Sequence, residues 1–241
     1  ERFIKLGKFL GDRGIGKKII SSLFFYSDKS LRQNILGIEF QNPIGLAAGF
    51  DKNAYLTDIL PSVGFGFMEI GSVTGKPCVG NPKPRLWRLK KSKGIVVYYG
   101  LMNDGSEKIF ERLRNKKFNI PLGVSIAKTN NKDAVEAEVA TADYFKAYKT
   151  MFETGDYATI NISCPNAFGG EPFTDPKKLD KLLKKISEIP KNKPVFLKLS
   201  PDLNEAEIDA ILEVCKKHPI DGFVCSNSTK KRVNIADKNL P

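Results

Sequence analysis

The sequence is poor in the residues that build several common kinds of active site. It contains one histidine, His218, so a Ser-His-Asp triad could form only through that residue, and its setting does not suggest one. Its four cysteines form no C-x-x-C pair, which argues against a zinc site and against a disulfide scaffold. No Gly-x-Gly-x-x-Gly motif and no P-loop occur. The cysteines are therefore interpreted as reduced thiols in a cytosolic compartment.

Long hydrophobic runs are also absent, because no run approaches the roughly 20 residues that cross a bilayer. The composition, with 41% hydrophobic and 27% charged residues, predicts a folded core. A length of 241 residues suits one α/β barrel domain. The net charge of +12 favours anionic ligands or surfaces, or serves solubility alone. Basic residues are spread along the chain, which weakens the case for nucleic-acid binding.

Residues 1–35 differ in character from the rest of the chain. Leu6, Phe9 and Leu10 recur at helical spacing, and a second such run surrounds Ile19 beyond a glycine-rich turn. This pattern predicts two short amphipathic helices. The first 40 residues hold eight Lys and Arg against four Asp and Glu. Such a helix pair can lie on an anionic membrane surface or can simply pack on the rest of the protein, and both alternatives stay open.

From residue 43 onward, short apolar runs alternate with helical patterns, which predicts βα units and a parallel sheet. The predicted strands are 44–48, 67–73, 122–127, 158–163, 195–199 and 222–226. The predicted helices lie near 54–62, 105–117, 134–153, 177–188 and 204–217. Polar loops at the carboxyl ends of the strands favour a (β/α)8 TIM-type barrel over a doubly wound open sheet. Because such a barrel needs eight strands, we expect one truncated after its sixth strand, with domains at 1–35 and 36–241.

The most distinctive motif is N-I-S-C-P-N, residues 161–166, at the end of a predicted strand. Two carboxamides flank the thiol of Cys164, and Pro165 fixes the turn. Carboxamides offer both donors and acceptors, which suits a planar, amide-rich ligand. The thiol can act as a nucleophile or as a base if its pKa falls or a partner takes its proton. The alternative is an inert, buried cysteine in a turn.

A second motif, A-A-G-F-D-K-N at residues 47–53, follows the first predicted strand. Small residues let the backbone approach a flat ring, and Lys52 can supply charge to an anionic ligand or a flavin. The polar residues that end the other apolar runs include Ser72, Thr74, Ser125, Lys128, Lys198 and 226–229. A single polar residue at a strand end is typical of a solvated loop, whereas polar residues at six equivalent strand ends predict a ligand site.

Taken in order, these motifs resemble the dihydroorotate dehydrogenases. The resemblance runs from about Leu36 to Thr229 and includes N-P-I-G-L-A-A-G-F-D-K, G-F-G-F-M-E-I-G-S-V-T, G-N-P-K-P-R-L, N-I-S-C-P-N and N-S-T. It implies an enzyme of pyrimidine (UMP) biosynthesis that oxidises dihydroorotate to orotate, with FMN at the mouth of an α/β barrel. It also implies that Cys164 is the catalytic base, which takes the C5 proton while the C6 hydride passes to the flavin.

The resemblance further implies two sets of ligand contacts. The residues that would contact FMN are Ala47, Ala48, Gly49, Phe50, Asp51, Ser72, Ser125, Asn161, Lys198 and Ser226. The residues that would hold the substrate are Lys52, Asn161, Asn166, Asn227 and Ser228. Lys198 would supply the positive charge that stabilises a reduced, anionic flavin. Neither a metal nor a nucleic acid is expected as a ligand.

Features of two classes of the family, which use different electron acceptors, occur together in this sequence. The N-terminal helices and the sequence around G-F-D-K and K-P-R-L are similar to the quinone-linked class, which implies a quinone acceptor and a cytoplasmic protein on the inner face of the cell membrane. Cys164 is instead typical of the soluble classes, since the quinone-linked class usually has Ser there. Val97 and Ser125 stand where the family usually has Asn residues that contact substrate and FMN. The chain also ends before the glycine loops that hold the FMN phosphate, so weak FMN binding is expected.

Two other functions stay open from the sequence. A tRNA-dihydrouridine synthase is also a flavin barrel with a Cys-Pro turn, and the basic charge suits RNA. The Asp51-Lys52 pair and Asn166 directly after Pro165 argue against it. A degenerate, non-catalytic barrel kept as a membrane-bound scaffold would instead explain Val97 and the other departures as decay.

Overall fold

The computed structural model describes residues 2–233 and 235–237. In chain order, the helices and strands are α1 (Arg2–Gly11), α2 (Gly14–Phe24), β1 (Gln33–Ile35), β2 (Ile38–Phe40), β3 (Gly45–Leu46), α3 (Leu60–Val63), β4 (Phe67–Val73), β5 (Leu86–Leu89), β6 (Gly94–Val97), α4 (Ser106–Leu113), β7 (Leu122–Ile126), α5 (Ala137–Met151), β8 (Tyr157–Asn161), α6 (Pro176–Ile186), β9 (Val195–Leu199), α7 (Glu205–Cys215) and β10 (Gly222–Cys225). The outermost residues of both predicted domains, residue 1 and residues 238–241, lie outside the described residues.

Six parallel strands form the centre of the molecule. Their order in space is β10-β9-β8-β7-β4-β3, and each neighbouring pair is parallel. The strands therefore follow one another around the sheet without the reversal of order that defines a doubly wound sheet, and that alternative is wrong. The predicted α/β fold, a six-stranded part of a TIM-type barrel preceded by helices, is confirmed.

The core lies between these strands and the helices that cover them. Every residue of β7 and β8 is buried, as is typical of parallel strands that are covered on both faces. Helix α6 buries the stripe Leu179, Leu182, Leu183 and Ile186 and leaves its lysines outside. Each large aliphatic side chain buried in this way stabilises the fold by about 1.5–3 kcal/mol.

Two predicted element boundaries are wrong. Strand 44–48 is reduced to the two residues of β3, because the chain turns away at Gly49, which has φ +102°. Helix 54–62 is reduced to the single turn of α3, since Ala54 adopts φ +57° and the segment before it is a capped loop. Both changes lengthen the loop at the mouth of the barrel.

Two antiparallel hairpins were not predicted from the sequence. The first pairs β1 with β2, so the predicted domain boundary between residues 35 and 36 falls inside a hairpin. The second pairs β5 with β6 and projects beyond the carboxyl ends of the parallel strands. Its two strands are joined again at the base, since the Asn81 N–H donates to the Tyr99 carbonyl at 3.1 Å.

The two predicted N-terminal helices are present and pack on the barrel. A Cβ at Gly7 would lie 2.7 Å from Leu56 Cδ2, so glycine allows α1 to approach the loop before α3 closely. The opposite face of the pair is apolar and exposed, with Phe3 81% and Ile15 75% accessible. Within residues 2–233 and 235–237, no helix has the length and apolar character needed to span a bilayer.

Candidate active site

Buried polar side chains meet where the central parallel strands end. The hydroxyl oxygens of Ser72 on β4 and Ser125 on β7 lie 2.8 Å apart, and Asn161 Nδ2 at the end of β8 donates to Ser72 Oγ at 2.8 Å. Lys198 on β9 is the register partner of Asn161. All four residues are at most 7% exposed. The structure thus brings together four predicted cofactor residues from four adjacent strands.

The Asn161 carboxamide also organises the loop that follows β8. Its Oδ1 accepts hydrogen bonds from the Ser163 N–H at 3.1 Å and the Ser163 hydroxyl at 3.0 Å. Asn227, after β10, donates from Nδ2 to the Ser163 carbonyl at 2.6 Å. Its neighbours Ser226 and Ser228 are exposed at the rim. Asn227 therefore joins the same polar group, while the two serines lie open to a ligand.

The loop at residues 47–53 is fastened beside the end of β4. The Gly49 N–H donates to the Gly71 carbonyl at 2.8 Å, and the Gly71 N–H donates to the Asp51 carbonyl at 3.2 Å. No atom lies within 4 Å of the point where a Cβ would stand on Gly49, so there is open space at this turn. Ala47 and Phe50 are exposed and Ala48 is half-buried, so the loop offers its surface to the mouth.

Asp51 differs from its neighbours because its carboxylate is used inside the protein. The side chain is 1% exposed, and its two oxygens accept the N–H groups of Tyr55 at 2.9 Å and Leu56 at 2.7 Å. The carboxylate thus caps the turn that leads to α3. The predicted contact of Asp51 with FMN stays a prediction, and both carboxylate oxygens are already engaged with the protein.

Lys52 lies between this loop and the N-terminal helices. Its ammonium group donates to the Gly49 carbonyl and stands 4.1 Å from the centre of the Tyr99 ring. Burial lowers the pKa of Lys52 to about 8, although the neighbouring Asp51 carboxylate opposes the shift. The side chain lines a cavity of about 450 Å³ together with Phe50, Tyr55, Tyr99, Met102 and residues Ile4, Lys5 and Lys8 of α1. This cavity lies between the 47–53 loop and α1.

Cys164 follows β8 and lines a second, much smaller cavity beside the polar group. The lining includes Lys128, Tyr144 and Asn161. Burial raises the pKa of the Cys164 thiol, while the Asn166 N–H and the Lys128 ammonium group oppose that rise. The cysteine also packs partly against the hydrophobic core. Its role as a base stays a prediction, and forming the thiolate in this setting requires help from neighbouring charge.

A set of carboxamides holds the loop after Cys164, and two of them, Asn81 and Asn130, were not predicted from the sequence. Asn130 donates to Asn81 Oδ1 at 3.0 Å, and Asn81 donates in turn to the Asn166 carbonyl at 3.0 Å. The Asn166 side chain donates to the Val97 carbonyl at 3.0 Å. Asn81 lies in the motif G-N-P-K-P-R-L, which was its only signal. These bonds fasten Asn166 between the β5–β6 hairpin and the loop after β7.

Glu69 was also missed, although an acid inside the apolar run F-M-E-I-G is a visible signal. It is buried on β4 and accepts a hydrogen bond from the Thr159 hydroxyl at 2.8 Å. Burial raises the pKa of Glu69, and the Lys198 ammonium group opposes this. Glu69 is therefore the acidic partner that faces Lys198 from within the barrel.

This donor set fits the edge of a flat heterocycle. Hydroxyl groups on Ser72 and Ser125, the amide of Asn161 and the ammonium group of Lys198 supply both donors and acceptors. The open space at Gly49 would admit a planar ring close to the backbone. Among the described residues, no cluster of three or more His, Cys, Asp or Glu side chains could hold a metal ion. The fold and site define a barrel-type α/β protein with a candidate ligand site at the carboxyl ends of its parallel strands.

Comparison with known proteins identifies the family. A family model described as dihydroorotate dehydrogenase matches residues 30–240, and the chain belongs to that family. The chain is 39% identical over 225 residues to the dihydroorotate dehydrogenase (quinone) of Synechococcus sp. (strain JA-3-3Ab), covering 92% of this chain and 59% of that protein. It is 43% identical over 221 residues to the dihydroorotate dehydrogenase (quinone) of Bartonella tribocorum, covering 88% and 60%. The chain therefore spans about three fifths of these curated relatives.

A solved structure supports the fold. The ligand-free DHODH from Eimeria tenella superposes with a TM-score of 0.80 at 27% identity, covering 93% of this chain and 72% of that chain. The match to the family confirms the resemblance found in the sequence. It decides against the alternative of a tRNA-dihydrouridine synthase, because the family model that matches is dihydroorotate dehydrogenase.

Proposed function

We propose that this chain oxidises dihydroorotate to orotate and passes the electrons to a quinone. The proposal rests on one observation above all. Ser72, Ser125, Asn161 and Lys198, from four adjacent strands, form one buried polar group, and the motif with Cys164 begins at the same strand end. Membership of the dihydroorotate dehydrogenase family supports this reaction, and the names of the relatives support a quinone as acceptor.

FMN is the cofactor that this proposal requires, and when bound it supplies a hydride acceptor. Ser72, Ser125 and Asn161 would hold the polar edge of its ring system, and the 47–49 backbone would face the ring. Lys198 would supply positive charge to that edge, with Glu69 behind it as a counterion. A buried positive charge already in place needs little reorganisation when the ligand gains negative charge.

The substrate would lie between this group and the loops that cover the mouth. Lys52 would attract the carboxylate of dihydroorotate, because its ammonium group is drawn toward the mouth by the Gly49 carbonyl. Asn166 is fastened through its Nδ2 to the Val97 carbonyl, so its Oδ1 can accept from a ring N–H. Asn227 and the exposed Ser228 would complete the contacts from the opposite side.

Cys164 would act as the base in its thiolate form. The C5–H bond of the substrate would break and its proton would pass to Cys164 Sγ, while bound FMN would supply the acceptor for the C6 hydride. A proton-transfer group placed in this way contributes about 10²–10⁴-fold to a rate. Burial raises the pKa of the thiol and so disfavours the thiolate. The Lys128 ammonium group and the Asn166 N–H lower that pKa and would therefore support this role.

The N-terminal helices support the quinone and the membrane parts of the proposal. The cavity of about 450 Å³ is lined both by Ile4 on α1 and by Lys52, which would make it a route from the helix pair to the active site. The exposed apolar side chains Phe3 and Ile15, beside basic residues, would rest in the surface of the inner face of the cell membrane.

The experiment compares Cys164→Ala and Cys164→Ser in the purified protein supplied with FMN. Reduction of a soluble dye and of a short-chain quinone would be followed after addition of dihydroorotate. Cys164→Ala should slow both by roughly 10²–10⁴-fold, whereas Cys164→Ser should retain part of the rate. Cys215→Ala, on the buried face of α7, is the matched control and should leave the rate unchanged. A Cys164→Ala variant that turns over at the original rate would show that another group is the base.

A further inference from the structure

Lys128 is a buried cation that lines the same cavity as Cys164, and the proposed reaction assigns it no role. It lies two residues beyond the end of β7 and is 3% exposed, although lysine is one of the residues least often found inside a protein. Its Nζ donates to the Phe168 carbonyl at 2.5 Å, in the loop that begins with Cys164. Both residues line the same small cavity. The ammonium group is thus held against the loop that carries the thiol.

The hydrogen bonds of the Lys128 ammonium leave room for a second partner. An ammonium group has three donors, and the Phe168 carbonyl takes one of them. A carbonyl carries no full charge, so it does not neutralise the buried cation. Asp143 is the carboxylate that faces Lys128, and its oxygens already accept from Thr129 N and Thr129 Oγ1 at 2.6–2.9 Å. A buried cation in this state favours another anion beside it.

Several titratable groups face Cys164, and they act in opposite directions. The Lys128 ammonium group lowers the pKa of the thiol, while Glu171 and Cys78 raise it. The influence is mutual, because Cys164 and Asp143 raise the pKa of Lys128 against the effect of burial. The carboxylate of Glu171 is paired with Lys230 at 3.2 Å, so part of its charge is offset. Tyr144, whose burial raises its pKa, remains a neutral phenol that donates to the Asn161 carbonyl at 2.7 Å.

We propose that Lys128 is a positioning residue whose ammonium group stabilises the Cys164 thiolate, so that the lysine and the thiol together form the base. Lys128 keeps its proton throughout, and the proton from the substrate goes to sulfur. Glu171 limits the effect, because its negative charge disfavours the thiolate. The inference deepens the proposed function and rests on it, but the state of the thiol can be measured without turnover.

The test measures the rate at which iodoacetamide alkylates Cys164 between pH 6 and pH 10.5. Alkylation of the Cys164 peptide is quantified by mass spectrometry, because only the thiolate reacts. Lys128→Met should move the midpoint of the pH profile up by about one unit or more and slow alkylation at pH 7.5 by about tenfold. Lys128→Arg should restore most of the original midpoint. Glu171→Gln should move the midpoint down, because it removes an opposing charge.

Internal controls separate loss of charge from loss of structure. Cys78 and Cys215 are buried and are quantified in the same digests, so general loosening would speed their alkylation. Should Lys128→Met not fold, Glu171→Gln decides alone, and a midpoint that fails to fall overturns the inference. An unchanged midpoint in folded Lys128→Met also overturns it. The same holds for a Cys164 that stays unreactive up to pH 10 while the denatured protein reacts.

Failure of this inference is distinguishable from failure of the proposed function. If the midpoints shift as expected but Cys164→Ala keeps its turnover, then Lys128 does stabilise the thiolate and Cys164 is not the base. If Cys164→Ala loses turnover and Lys128→Met leaves the midpoint unchanged, then Cys164 is the base and Lys128 does not stabilise its thiolate.

Discussion

The charge state of Lys52 leads to a sharp prediction for ligand binding. An ordinary lysine has a pKa near 10.4, so its charge is constant across the usual range of assays. Burial brings the pKa of Lys52 down to about 8, and the ammonium form exists below that value. We therefore expect the affinity for orotate to fall as the pH rises through 8, because the neutral amine loses its attraction for the ligand carboxylate.

The magnitude follows from the titration and from the strength of a charged hydrogen bond. With a pKa of about 8, the protonated fraction is about nine tenths at pH 7 and about one tenth at pH 9. The dissociation constant should therefore rise about tenfold over that interval. A hydrogen bond to a charged group contributes about 1.5–3 kcal/mol, so Lys52→Met should weaken binding at pH 7 by about ten- to 150-fold.

The assay measures orotate affinity by isothermal titration calorimetry from pH 6.5 to 9.5 at constant ionic strength. The ratio of the Lys52→Met and original dissociation constants should shrink about tenfold between pH 7 and 9. Taking the ratio cancels any titration of the ligand itself and of Cys164 or Lys128. Lys117→Met, on an exposed loop away from the mouth, is the control. A ratio that does not change with pH would refute the argument that Lys52 titrates in this range.

Two further predictions concern stability and membrane binding. Asp51→Ala leaves the N–H groups of Tyr55 and Leu56 without acceptors, so it should lower the free energy of unfolding in urea by about 2–4 kcal/mol. The control Asp28→Ala, at an exposed turn, should lower it by less than about 1 kcal/mol. Equal losses in the two variants would contradict the capping role of Asp51. Phe3→Glu should reduce sedimentation with anionic lipid vesicles by about tenfold or more, while Ile95→Glu, on the exposed β5–β6 hairpin, should not; equal binding of both variants would argue against membrane contact through α1.

The parallel strands could be predicted because their burial leaves a strong pattern. A strand covered on both faces is apolar throughout, and the run at 195–199 was predicted at the residues where β9 lies. The β5–β6 hairpin gave no such pattern, since L-W-R-L and G-I-V-V are short and half exposed. The early end of β3 depends on the backbone angle of Gly49, which composition alone does not determine.

The site shows the same division between local and distant contacts. Residues that end neighbouring parallel strands must converge, so the meeting of Ser72, Ser125 and Asn161 followed from the strand prediction. The bonds of Asn81 and Asn130 could not be foreseen, because Asn81 reaches a partner 85 positions away through an irregular loop. The hydrogen bond from Lys128 to the Phe168 carbonyl likewise joins residues 40 positions apart, although Lys128 itself was among the polar strand ends of the sequence.

The structure shows what Val97 and Ser125, the two departures from the family pattern, contact. These contacts bear on whether the barrel is a degenerate, non-catalytic one. At Val97 the backbone carbonyl holds the Asn166 side chain, and any residue supplies a carbonyl. At position 125 the serine hydroxyl bonds to Ser72, which also receives Asn161, so the shorter side chain leaves no gap in the polar group. A buried polar group left without a partner costs about 1–3 kcal/mol. Here Ser72 is bonded to both Ser125 and Asn161 at the carboxyl ends of their strands, so the two departures leave this polar group intact and give no sign of decay there.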